Sequence, residues 1–280
     1  MAAIPRWELL SEFIRILMHT GFATNGRPQS IFLISDPGHG KTELLNRFSG
    51  NTCAQVYSDI TMQPFMRALK LAMENKITHI IVPEFQKVIS RRKDVSQNFL
   101  ALLLEAMEEG VDKVSMGPSE ENFYGARLGI LGASTYDSMQ KNTYLIDDLA
   151  MDSRAFFVDA CATREEIMEI ERRIAEGKFE SLSPIKINAP DKKIEVRIPP
   201  KIALQCQPLV REMQAANIPV YGIRTYARFL HVLRGMAIRD GKDYVMVRHF
   251  EEMLEFKKLW LELPNIGRPD RGSRYAISPA

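Results

Sequence analysis

The sequence predicts an α/β fold: a parallel sheet with covering helices, followed by a smaller, mainly helical domain. Short apolar runs and helical patterns alternate from Ile31 to about Ala160, the order a parallel sheet with crossover helices requires. The first such run, "IFLIS", leads into a glycine-rich loop and a helix-like segment, "KTELLNRF". After Thr163 the character changes: a charged helix, a turn-rich stretch, then mostly helix to Leu263. The expected division is an α/β core over 1–160, a helical lid over 161–263 and a flexible tail over 264–280.

The elements follow in order. "PRWELLSEFIRILMHTG" spaces Trp7, Leu10, Phe13, Ile14, Leu17 and Met18 as one face of a helix, between Pro5 and Gly21. "IFLIS" is a short buried strand and "AQVYSD" a second, with "TMQPFMRALKLAMENK" the helix after it. "THIIVPEF" is a third strand, bounded by Pro83, and "VSQNFLALLLEAMEEG" a strong helix. "KVSMG" is weak strand, "RLGILGAST" a clear one, and "DSRAFFVDA" carries the last strand of the set. "TREEIMEIERRIAEG" opens with a capping box, Thr163 to Glu166. "SLSPIKINAPDKKIEVRIPP" is turn-rich and weakly β.

The 280 residues are 45% hydrophobic and 26% charged, as in an ordinary globular chain. A net charge of +2 does not by itself argue for nucleic acid. Cys53, Cys161 and Cys206 are widely spaced and read as buried thiols in a reducing compartment. The five histidines are scattered and form no metal-ligand pattern. No apolar run approaches the ~18 residues of a membrane span, and no signal peptide is visible, so the cytoplasm is the expected location.

The chemistry lies in the loop after "IFLI". Ser35, Asp36, Pro37, Gly38, His39, Gly40, Lys41 and Thr42 match the spacing G-x-x-x-x-G-K-[ST], with serine at the first position. Such a loop curls successive backbone N–H groups around phosphates. Gly38 and Gly40 allow the close approach, Lys41 reaches the outer phosphates, and Thr42 offers a hydroxyl to Mg²⁺. Glu43 continues the binding segment. The expected ligand is ATP with Mg²⁺, on a P-loop NTPase sheet. Such a site also needs an acid at a neighbouring strand end. "THIIVPEF" supplies Glu84, with Pro83 where an aspartate is expected. Glu84 then polarises the attacking water, and either it also supports the metal, or Thr42 and water hold the metal, or hydrolysis is slow.

Over about residues 28–258 the chain resembles an AAA+ ATPase, in the manner of the MoxR, MCM and RuvB-like branches. "SDPGHGKT" is similar to that family's G-P-P-G-x-G-K-T loop, and the segment from Glu84 to Gly117 to the region after its Walker B acid. The resemblance places sensor 1 at the end of "LGILGAST", on Ser134 or Thr135. It makes Arg154 in "LAMDSRAFF" the arginine finger that completes a neighbour's site. It makes Arg224 the lid residue that contacts the γ-phosphate, with Arg228 one turn on as the fallback. The missing aspartate, the serine for glycine and the missing sensor asparagine together predict slow turnover.

An arginine finger implies a homo-oligomer, ring or helical, with ATP at subunit boundaries. "ISRRKD", at Ile89 to Asp94, places three consecutive cations after the acid, a candidate for tracking a nucleic-acid backbone. Three readings stay open: an ATPase that remodels DNA or a DNA-bound complex, a MoxR-like chaperone with a protein client, and a scaffold that binds ATP and barely hydrolyses it.

Overall fold

The computed structural model describes residues 5–116, 119–143, 149–177, 183–215 and 222–261. Five parallel strands form one sheet: β1 (Ser30–Ile34), β2 (Ala54–Val56), β3 (His79–Val82), β6 (Gly129–Ser134) and β7 (Ala155–Asp159), in the order β2-β3-β6-β1-β7. A separate antiparallel hairpin, β4 (Val111–Met116) and β5 (Ser119–Ala126), stands between the third and fourth parallel strands in the chain. The expectation of an α/β fold with a parallel sheet and covering helices is therefore met.

Every residue of β1, β3 and β6 is buried, because helices cover both faces of the sheet. That is why these strands read as continuous apolar runs rather than alternating ones. On one face Ile31, Leu33, Leu131, Ala133, Phe156 and Val158 form a core with α1 (Pro5–Thr20). On the other, Phe32, Ile34, Ile80, Val82, Ile130 and Phe157 pack with α3 (Met62–Met73) and α5 (Lys93–Glu108). Each large side chain buried this way contributes ~1.5–3 kcal/mol.

The C-terminal helices are α8 (Pro200–Ala215), α9 (Ile223–Arg239), α10 (Val247–Glu255) and α11 (Lys257–Leu261). Their buried residues, among them Cys206, Phe229, Val232, Leu233 and Met236, share the core of α1 and the first sheet face. The backbones of α1 and α9 come close at Gly235, where a Cβ would lie 2.6 Å from the Ile16 carbonyl oxygen. Arg239 ties the two together: its guanidinium meets Glu12 of α1 at 2.8 Å and Glu252 of α10 at 2.7 Å.

Several elements differ from the expectation. The hairpin's second strand, "SEENFYGA", was not expected, because from Glu120 to Ala126 only Phe123 and Ala126 are buried and no alternation shows. Two short helices, α4 (Gln86–Ile89) and α6 (Tyr136–Lys141), also went unread. α2 is confined to Lys41–Asn46. The charged helix is α7 (Arg164–Ala175). The weakly β stretch after it forms isolated bridges, Ala23 to Ile194 and Arg197 to Tyr244, among the described residues. The tail expected over 264–280 lies outside the described residues. Among the described residues no helix is long and apolar enough to cross a membrane.

Candidate functional site

The strand order fixes where a ligand can sit. From β1 the chain crosses to β2 at one edge of the sheet, whereas from the adjacent β6 it crosses to β7 on the other side of β1. Connections leaving two neighbouring strands in opposite directions open a crevice at their carboxyl ends, where open α/β sheets bind ligands. The glycine loop follows β1 at that point.

The loop's backbone turns sharply there. Gly38 and Gly40 have φ of +85° and +73°, a left-handed conformation that glycine adopts without a Cβ clash. At Gly40 a Cβ would also lie 2.2 Å from the Trp7 ring, which packs on the loop from α1. Ser35 is buried; its amide donates to the Ser134 carbonyl (3.4 Å), joining the loop to the end of β6. The side chain that replaces the usual glycine has a use: the Ser35 hydroxyl accepts a 2.7 Å hydrogen bond from the Lys41 ammonium. Lys41 also donates to the carbonyls of Ser35 (3.0 Å) and Asp36 (2.8 Å). Burial pushes its pKa below the usual value, against the opposing charges of Cys161 and Asp36. Asp36, Pro37, Gly38, Thr42 and Glu43 are exposed around the mouth. His39 is half-buried, and its Nδ1 accepts from the Ala162 amide (3.0 Å), tethering the loop to the chain after β7.

Register brings two more expected residues to this edge. Ile34 lies level with Ser134, and Val82 with Gly132, so the ends of β1, β6 and β3 are adjacent. Ser134 is fully buried and its Oγ has no hydrogen-bond partner among the described residues. Thr135 is differently placed: its Oγ1 accepts from the Ser138 amide (3.2 Å) and caps α6. Of the two sensor candidates, Ser134 thus has the uncommitted hydroxyl. Glu84 sits in the turn after β3, where the Phe85 amide donates to Ala133 O (2.9 Å), and its carboxylate is ion-paired with Lys87. Pro83 is buried.

The two arginines lie elsewhere. Arg154 immediately precedes β7, whose first residue is level with Ser30 and whose last is level with Ile34. It therefore stands at the amino edge of the sheet, about 15 Å from the chain's own loop by the rise of a strand. Arg224, at the start of α9, joins it there. Both pair with Glu108: Arg154 Nε is 2.8 Å from Oε2 and Arg224 Nε is 2.9 Å from Oε1. Arg27 approaches the same carboxylate at 3.5 Å. Arg228, the fallback, is buried, donates to the Ala155 carbonyl and lies 4.9 Å from the Phe156 ring centroid. It holds α9 against β7. The structure brings the loop, Ser134 and Glu84 together at one edge and gathers Arg154 and Arg224 at the other.

The cationic run in "ISRRKD" is partly occupied inside the fold. Arg91 pairs with Asp59, donates to Ile60 O (2.6 Å) and lies 5.7 Å from the Phe99 ring centroid.

Two features at the sites went unread in the sequence. Glu108 is buried at the end of α5, where a carboxylate faces the negative end of the helix dipole and needs cations beside it. Its offset of four and eight residues from Leu104 and Leu100 was the available signal. Cys161, on the chain after β7, meets the loop: its sulfur and one ligand atom each of Asp36 and His39 lie within 4.8 Å of one another. These three are the side chains that could group around a metal ion among the described residues, though the Ala162 amide already occupies His39 Nδ1. Burial raises the Cys161 thiol, which the Asp36 amide partly opposes.

No protein-family model matches the chain, and no curated protein shows a significant match to it.

Proposed function

We propose that this chain is an AAA+-type P-loop ATPase that binds ATP and Mg²⁺ at the crevice beside β1 and acts as a homo-oligomer to remodel DNA or a DNA-bound complex. The observation that carries this reading is the meeting, at one switch-point crevice, of the Gly38–Gly40 loop with Lys41, the unpartnered Ser134 hydroxyl and the strand-end Glu84.

In this reading the amides of the glycine loop hold the phosphates. Lys41 exchanges the loop carbonyls it now holds for phosphate oxygens, a like-for-like trade of acceptors that costs little. Ser134 donates its free hydroxyl toward the nucleotide, and Glu84 orients the attacking water. Thr42, with its exposed hydroxyl, and Glu84 would hold Mg²⁺, which neutralises charge on the outer phosphates when bound. Arg154 stands too far from its own loop to serve it, so it serves a neighbour's, which requires assembly.

A low-turnover reading has support of its own. Pro83 replaces the expected aspartate, and Glu84 is held by Lys87. A scaffold that binds ATP and hydrolyses it slowly fits both features.

The test is ATP turnover with and without DNA, beside the size of the protein with a non-hydrolysable analogue. Turnover stimulated by DNA supports the remodelling reading, and analogue-driven assembly without turnover supports the scaffold. Turnover and assembly both indifferent to DNA, with a protein that co-purifies, would replace the DNA reading with a MoxR-like chaperone.

A further inference from the structure

Three side chains of different chemistry meet at the mouth of the glycine loop. The Cys161 sulfur, a carboxylate oxygen of Asp36 and a ring nitrogen of His39 all lie within 4.8 Å of one another. They come from two segments, the loop after β1 and the chain after β7, which the pairing of those strands sets side by side. The Asp36 carboxylate is exposed and has no hydrogen bond or ion pair among the described residues. Lys41, although near, gives its ammonium to the Ser35 hydroxyl and to the carbonyls of Ser35 and Asp36. Cys161 is half-buried, and its sulfur is approached by two polar groups, the Asp36 amide and the Tyr136 hydroxyl (3.8 Å). The other two thiols, Cys53 and Cys206, are buried in the core.

We propose that Asp36, His39 and Cys161 form a site for a zinc-class divalent cation, and that the bound cation ties the loop to the chain after β7 in a form that excludes the nucleotide. A thiolate, an imidazole and one carboxylate are donors that Zn²⁺ takes, whereas the harder Mg²⁺ prefers oxygen. Zinc bond lengths set the ligand atoms of a tetrahedral site ~3.3–3.6 Å apart, so the three have to draw in by about an ångström. His39 has to give up the bond from the Ala162 amide, one neutral hydrogen bond exchanged for a metal–nitrogen bond. Binding releases the thiol proton to solvent. The Asp36 amide then faces a thiolate, and the Tyr136 hydroxyl can turn to donate to it, the kind of contact that steadies a metal ligand. Water fills the fourth position. Because Lys41 is held on the Asp36 carbonyl, pinning Asp36 also keeps Lys41 turned onto its own loop, away from a phosphate.

The exclusion of nucleotide rests on the ATP-binding reading of the loop; the metal site does not, and the test keeps them apart. Co²⁺ stands in for Zn²⁺ as a spectroscopic probe, titrated into the reduced chain without nucleotide. The wild-type chain should show a thiolate-to-cobalt charge-transfer band that Zn²⁺ abolishes by displacement and Mg²⁺ does not. Cys161→Ser should lack the band, and Asp36→Asn and His39→Ala should bind cobalt roughly tenfold or more weakly. Circular dichroism reports folding, and Asp36→Asn, at an exposed position, carries the ligand test if His39→Ala does not fold. A wild-type chain without the band, a band that survives Cys161→Ser, or unchanged cobalt affinity in folded Asp36→Asn would overturn the site.

Calorimetric titration of ATP in excess Mg²⁺, with and without one equivalent of Zn²⁺, reads the second half. Zinc should weaken ATP binding by about tenfold or more in the wild-type chain, the scale of losing a charge-assisted contact to phosphate, and leave Cys161→Ser unaffected. Equal weakening of both proteins, or of neither, would overturn the exclusion. If ATP binds neither with zinc nor without it, the nucleotide reading is what fails, and the cobalt spectra still decide the metal site.

Discussion

Replacing Ser134 by alanine should make the protein more stable and less active. The Ser134 side chain is fully buried, and its hydroxyl has no hydrogen-bond partner among the described residues. A buried hydroxyl in that state costs about 1–3 kcal/mol. Alanine removes the cost and leaves a gap of a single oxygen, so the net gain is of order 1 kcal/mol. For a chain of this size that raises Tm by about 2–4 °C. If the hydroxyl is kept to donate to a nucleotide phosphate, the same substitution removes a hydrogen bond to a charged group. That loss is about 1.5–3 kcal/mol, or roughly ten- to a hundredfold in ATP affinity or turnover. Differential scanning calorimetry without ligand and a nucleotide titration measure the two effects on one sample. Thr135→Ala is the control: it removes the cap of α6, lowers stability by about 1 kcal/mol and leaves nucleotide binding alone. A fall in Tm for Ser134→Ala with unchanged nucleotide affinity would refute the reasoning, because the hydroxyl would then be a satisfied structural group.

Glu84→Gln should keep nucleotide binding and slow hydrolysis by one or more orders of magnitude, measured by phosphate release; unchanged turnover would show that another group orients the water. Arg228→Ala should lower Tm by several degrees in calorimetry, because it removes the buried guanidinium that bridges α9 to Ala155 O and Phe156, whereas Arg224→Ala should leave Tm nearly unchanged. Arg91→Ala should weaken folding without altering DNA affinity in a filter-binding assay, since its guanidinium is engaged with Asp59 and Ile60. His79 is fully buried, and desolvation pushes its pKa from 6.5 down to about 4. The unfolded chain takes that proton at the ordinary value, so stability present above that value is lost as pH falls through the window between the two. The loss is about 3 kcal/mol for the whole window; urea midpoints across that range should fall for wild type and fall less for His79→Gln.

The parallel strands were legible because burial on both faces leaves a run of apolar residues, as in Ile31–Ile34 and Gly129–Ser134. The hairpin's second strand was not, since Glu120, Glu121 and Tyr124 face water or lie only partly covered and give no period of two. The glycine loop is local chemistry, eight consecutive residues, and its backbone angles follow from Gly38 and Gly40. Glu84 was legible as the acid at the end of "THIIVPEF" and Ser134, with Thr135, through the family resemblance; the register of β3 and β6 sets those strand ends beside the loop. The Glu108 cluster was out of reach for the opposite reason: the offset from Leu104 and Leu100 marks Glu108 as inward-facing, but Arg27, Arg154 and Arg224, which meet it, are distant in sequence. Only the packing of α5 and α9 against the amino edge puts one carboxylate under three guanidiniums. The meeting of Cys161 with Asp36 and His39 likewise depends on the register of β7 beside β1.

The claim on which the rest depends is that the loop closed by Lys41 holds a triphosphate. Isothermal titration of ATP–Mg²⁺ into the wild-type chain and into Lys41→Ala tests it most directly. Saturable binding to wild type, lost by a hundredfold or so when the ammonium is removed, is the expected result, the scale of a charge-assisted contact to phosphate. Equal affinity for the two proteins, or no binding to either, would contradict it.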